Sequence, residues 1–136
     1  MPSRCPRILL VDDMPEAREL TRTMLDFEGY AIDEAGDGLE AIQKLVADTY
    51  CLVVTDYHMP RMDGLQLLQY VRRHWPTLPV IVLTGERIGE LVAREGGYAW
   101  IPKPHPVNEF IRTVRRAVAG ARPVQTAPAP SRPRRS

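Results

Sequence analysis

Four polar clusters each follow a short apolar run: Asp12-Asp13 after ILLV (8–11), Asp56 after LVV (52–54), Thr84-Gly85 after VIVL (80–83), and Lys103-Pro104 just beyond YAWI (98–101). If the runs are parallel strands of one open sheet, these clusters converge at its carboxyl edge, where such sheets bind ligands. Asp12, Asp13 and Asp56 would then meet a hydroxyl and an ammonium. Two carboxylates about 4 Å apart repel by ~1–4 kcal/mol for effective dielectrics of 80 to 20, so stability alone does not assemble three of them. A hard divalent cation offsets the repulsion. Mg²⁺ commonly takes one or two carboxylates and keeps waters for a phosphate substrate, so the pattern points to phosphoryl chemistry beside magnesium.

Each residue also has a plainer reading. Asp12 or Asp13 could cap the helix entered at Pro15, and Asp56 could start the turn running from Met59 to Gly64. Thr84 could be a turn hydroxyl and Lys103 a solvated cation. None of these readings explains why all the clusters fall at the ends of apolar runs.

The elements that would position them follow from periodicity. Residues 8–11, 52–54 and 80–83 read as central strands buried on both faces. The more polar AIDEA (31–35) suits an edge strand, and 98–101, bounded by Pro102, is a fifth candidate. Helical stripes lie between them: Ala17, Leu20, Met24 and Leu25; Leu39, Ile42, Leu45 and Val46; Leu65, Leu68 and Val71; Val107, Phe110, Ile111, Val114 and Val118. Pro15 suits a first helical turn, while Gly29 and Gly120 stand where helices end. Residues 86–95 offer only Ile88, Leu91 and Val92, with Gly89 costing ~1 kcal/mol relative to Ala inside a helix. Strict alternation with right-handed crossovers predicts a three-layer α/β fold.

The 136 residues fit one domain, and 44% apolar with 26% charged residues is the composition of a globular chain. The formal net charge of +1 is uneven, because residues 121–136 hold Arg122, Arg132, Arg134 and Arg135 and no acid. That segment is proline-rich and aperiodic, and it reads as a disordered tail. A basic face on the folded part, as direct DNA binding requires, is not indicated. Cys5 and Cys51 form no metal-ligand spacing. The start lacks an apolar h-region, and no apolar run approaches the ~20 residues of a membrane span. A cytoplasmic setting without membrane contact is expected.

The blocks RILLVDD, VVTDYHMPRMDG, VIVLTG and IPKP resemble the signature blocks of response-regulator receiver domains, and EGYAIDEAGDGLEAI resembles the region that links the first two. The resemblance covers residues 7–120, with 1–6 as a short lead and 121–136 as the tail. It implies a flavodoxin-like fold with a five-stranded parallel sheet of order 2-1-3-4-5. It further implies that Asp56 accepts a phosphoryl group from a sensor histidine kinase or phosphotransfer protein. Asp12, Asp13, Asp56 and the backbone carbonyl of His58 would serve Mg²⁺, Asp12 through its water shell. Thr84 and Lys103 would hold phosphoryl oxygens, with a cis peptide at Lys103-Pro104. Trp100 occupies the aromatic switch position, where Tyr or Phe is commoner. His58 and Glu86 occupy the positions that tune access of hydrolytic water. The interval from Thr84 to Lys103 is about three residues shorter than usual, and the loss falls in the fourth helix.

The receiver reading makes the chain a phosphoacceptor rather than an enzyme, with an unknown downstream protein or a phosphorylation-dependent homodimer as its output partner. Two alternatives compete. A haloacid-dehalogenase-type phosphatase also uses an aspartyl nucleophile and Mg²⁺, but its acid/base aspartate two residues further on is replaced here by His58. A vestigial interaction module would not need the complete residue set. No GxxxxGK[ST] phosphate loop is present.

Overall fold

A computed structural model of the chain describes residues 7–103 and 106–120. Strands and helices alternate: β1 (Arg7–Val11), α1 (Pro15–Phe27), β2 (Ala31–Ala35), α2 (Gly38–Ala47), β3 (Leu52–Asp56), α3 (Gly64–His74), β4 (Val80–Thr84), α4 (Gly89–Arg94), β5 (Ala99–Pro102) and α5 (Val107–Val118). The strands pair in parallel in the order β2-β1-β3-β4-β5, the flavodoxin-like order. The lead 1–6, Pro104 with its peptide, and the tail 121–136 lie outside the described residues.

Side chains alternate between the faces of a strand, and in the central strands both faces are apolar. Ile8, Leu10, Leu52, Val54, Ile81 and Leu83 pack with Leu25 of α1 and with Phe110, Ile111 and Val114 of α5. Leu9, Val11, Val53, Val80 and Val82 pack on the other side with Ala41 and Leu45 of α2, Leu67, Leu68 and Val71 of α3, and Val92 of α4. Burying each such Val, Leu, Ile or Phe side chain stabilises the fold by about 1.5–3 kcal/mol, so a sheet with two apolar faces needs helices on both.

Pro15 opens α1, and Gly29 and Gly120 follow α1 and α5 with φ of +94° and +81°. The strands carrying site residues run further than the apolar runs alone: β3 includes Asp56 and β4 includes Thr84, while β5 includes Pro102 on the edge. Several expected stripe residues face outward. Leu20, Leu39, Val46 and Val107 are exposed. The buried line of α2 is Gly38, Ala41 and Leu45, and Val46 stands about 100° around the helix from Leu45. A helix lying on a sheet covers only a narrow strip of itself, and the apolar residues at that strip's margins stay in solvent.

Candidate functional site

At the carboxyl edge of the sheet, β1 and β3 are neighbours, with Val11 opposite Thr55. The residues that follow each strand are therefore side by side. One carboxylate oxygen from each of Asp12, Asp13 and Asp56 lies within 4.8 Å of the others. Asp12 and Asp56 are 4% and 8% exposed, which puts two like charges in a place where water screens them poorly. Burial pushes the Asp12 carboxyl above its ordinary range. The hydrogen bond from Met14 N opposes the shift, and the charges of Asp56 and Asp13 add to it.

Lys103, which follows β5, forms an ion pair with Asp56 Oδ1. That oxygen is buried and receives no hydrogen bond of good geometry. Charge without a hydrogen-bonding partner, among three converging carboxylates, is a donor set suited to a hard cation. Thr84 is 2% exposed, and its Oγ1 accepts from Glu86 N at 3.1 Å, leaving its own O–H to donate elsewhere. Lys103 N donates to Thr84 O at 3.0 Å, which brings the ends of β4 and β5 together.

The plainer readings fail for the acids. α1 has Met14 at its N-cap with no side-chain cap, and Asp12 Oδ1 instead accepts from Met14 N at 3.0 Å within the loop. α3 is capped by Asp63, through a reciprocal pair of hydrogen bonds with Gln66, so Asp56 is not spent on the turn. Gly64 keeps that loop tight: a Cβ there would run into the Asp56 carbonyl and come within 2.9 Å of Tyr57 Cα.

His58 points its side chain outward, 67% exposed, with Nε2 at 2.6 Å from Glu86 Oε2. The imidazole is therefore not in the acidic cluster. Trp100 is partly buried on the α4 side of the sheet, and its indole Nε1 is buried without a hydrogen-bond partner. Gly89 is the first residue of α4 rather than an interior one, so the helix penalty expected for it does not apply.

Some contacts are announced by no motif. Arg18 Nη1 donates to the Asp12 carbonyl at 2.5 Å, and Arg18 Nε donates to Glu34 Oε1 at 2.7 Å. Arg61, held at a φ of 70°, ion-pairs with Asp37 at the start of α2. The spacing of these pairs in sequence carries no signal that could have found them.

Comparison with known proteins accords with this site. The family described as "Response regulator receiver domain" matches residues 8–115. Response regulator MprA of Mycobacterium leprae (strain TN) is 36% identical over 122 residues, covering 86% of this chain and 53% of the relative. MprA of Mycobacterium tuberculosis (strain ATCC 25618 / H37Rv) is 36% identical over 126 residues, covering 89% and 54%. The chain thus spans about half the length of these relatives. Among solved structures, the Thermotoga maritima response regulator TrrA in complex with Mg²⁺-BeF superposes with a TM-score of 0.78 at 32% identity, covering 82% of this chain and 98% of that one. A putative response regulator from Chloroflexus aurantiacus J-10-fl gives 0.81 at 27% identity, covering 85% and 99%.

The chain belongs to the response regulator receiver domain family of two-component signalling. It is a phosphoacceptor domain rather than a true enzyme, which removes the phosphatase alternative, and membership implies a cognate histidine kinase. Its acidic triad is of the kind that binds Mg²⁺ in receivers. Among the described residues, no helix is long and apolar enough to cross a membrane.

Proposed function

We propose that Asp56 is the phosphoacceptor and that the domain occupies residues 7–120, with 1–6 as a lead and 121–136 as an appendage. The observation that carries this reading is the convergence of Asp12, Asp13 and Asp56 beside Lys103. A carboxylate oxygen of Asp56 attacks the phosphorus of a phosphohistidine on a kinase or phosphotransfer protein. The N–P bond breaks, the O–P bond forms, and the imidazole leaves with its electron pair. The product is an acyl phosphate.

Asp13, Asp56 and the carbonyl of His58 would hold Mg²⁺, with Asp12 acting on its water shell. A bound Mg²⁺ supplies positive charge that offsets the carboxylates and the phosphoryl oxygens. Lys103, already paired with Asp56, can follow the negative charge onto a phosphoryl oxygen, and Thr84 donates its O–H to another. This is catalysis by placement and charge neutralisation. His58 and Glu86 join two loops at the site, and their pairing supports a role in limiting water's access to the acyl phosphate. A cytoplasmic setting, and an output through a downstream protein or a phosphorylation-dependent homodimer, belong to the same reading.

The test is phosphorylation of the full chain by acetyl phosphate and Mg²⁺, followed by intact mass spectrometry. One labile phosphoryl group should appear, and Asp56→Asn should abolish it. Undiminished labelling of that variant would reject Asp56.

A further inference from the structure

Arg18 lies in α1, outside the acidic cluster, yet it touches the backbone that carries two of the cluster's residues. Its guanidinium spans two acceptors at once. Nη1 donates to the carbonyl oxygen of Asp12 at 2.5 Å, and Nε donates to Glu34 Oε1 at 2.7 Å at the end of β2. Glu34 Oε2 is held in turn by Arg22 Nη1 at 2.5 Å. The Arg18 side chain is 20% exposed and Glu34 26%, so water competes only partly for these bonds.

We propose that Arg18, backed by Glu34, is a positioning residue that fixes the peptide between Asp12 and Asp13 for cation binding. The inference rests on the metal reading above. The Asp12 carbonyl belongs to the peptide unit that leads into Asp13, and the peptide is planar, so gripping that oxygen sets the direction in which the chain enters Asp13. The other end of the loop is fixed by Met14 N on Asp12 Oδ1. Between those two bonds the loop has little freedom, and the carboxylates need not be gathered when a cation arrives.

Glu34 has two tasks. It orients the guanidinium, and it neutralises a charge that would otherwise turn toward Asp12 or Asp13 and compete with the cation. Hydrogen bonding from Arg18 holds the Glu34 carboxyl below its ordinary range, as expected for a carboxylate that stays charged. Lysine could not replace this arrangement, since an ammonium lacks the planar fork that meets two acceptors in fixed directions.

Positioning and simple electrostatics make opposite predictions. Removing a cation near an Mg²⁺ site should tighten Mg²⁺ binding if charge alone matters. Removing a group that orients the ligands should weaken it, typically by tenfold or more. The experiment is calorimetric titration of the full chain with MgCl₂, beside thermal melting in EDTA. Arg18→Ala is expected to raise the Mg²⁺ Kd by about tenfold, with Arg18→Lys in between. In acetyl phosphate labelling, the Mg²⁺ needed for half-maximal rate should rise more than the saturated rate falls. If Arg18→Ala does not fold, Arg18→Gln, which also removes the cation but keeps a longer polar side chain, should raise Kd severalfold where charge alone would lower it. An unchanged or lower Kd in a folded variant overturns the inference. A wild-type chain that binds no Mg²⁺ overturns the metal reading, and this inference with it.

Discussion

The indole of Trp100 lies so close to Gly89 that a Cβ at position 89 would enter the ring, coming within 2.8 Å of Cζ3. The first residue of α4 and the middle of β5 are thus fitted together by the absence of a side chain. The same indole buries its N–H without an acceptor, a cost of about 1–3 kcal/mol that any conformation supplying a partner would recover. Trp100 is therefore tightly held, with one polar atom left unsatisfied.

From this contact we expect Trp100 to report activation. In a Trp75→Phe background, where Trp100 is the remaining indole, saturation with Mg²⁺ and beryllofluoride should shift its fluorescence. Thr84→Ala should weaken the shift and leave metal binding in place. Gly89→Ala should displace the ring, lower stability by about 1–3 kcal/mol through overcrowding, and alter the resting spectrum. A wild-type spectrum unmoved by beryllofluoride, with unchanged amide exchange over α4, β5 and α5, would reject this surface as the switch.

Mg²⁺ should raise the melting temperature of the wild-type chain, because a ligand bound only by the folded state adds about 2.7 kcal/mol at a hundredfold excess over its Kd. Asp13→Ala should remove most of that increment. Thermal melts with and without MgCl₂ decide the matter, and an unaltered Mg²⁺ response in the variant would deny Asp13 a metal role.

Glu34 gives a prediction in acid. Hydrogen bonds from Arg18, and then Arg22, hold its folded pKa below the ordinary 4.5, against an opposing push from burial. A carboxyl lowered on folding contributes stability that is fully present above its unfolded pKa and is lost as pH falls through the folded one. Glu34→Gln should therefore cost on the order of 1 kcal/mol at neutral pH, as expected for a partly exposed ion network. The difference from wild type should shrink as the pH falls below about 4.5. Urea melts of both proteins across that range provide the check. A gap that persists undiminished in acid would mean the carboxylate charge is not its source.

Removal of residues 121–136 should leave labelling by acetyl phosphate at the wild-type rate. That segment has prolines and arginines but no periodic apolar face to pack on the core. Markedly slower labelling of the truncated chain would show that the segment acts on the site.

Strand and helix positions and the convergence of Asp12, Asp13 and Asp56 were legible in the sequence for a physical reason, whereas the strand order came only with the resemblance to receiver domains. Central parallel strands are buried on both faces, so they appear as unbroken apolar runs. Their connection rules bring the carboxyl ends to one edge, so the residues closing each run are neighbours whatever lies between them. Periodicity could not say where each helix would be covered. It placed Leu20 and Val46 on buried stripes, and the narrow strip that a helix presents to a sheet left them in solvent. Nor could spacing reveal Arg18 on the Asp12 carbonyl, Arg61 on Asp37, or Trp100 against Gly89. Burial pattern is a local property written along each segment. Contacts such as these depend on where separate elements come to rest against one another, and only the tertiary structure decides that.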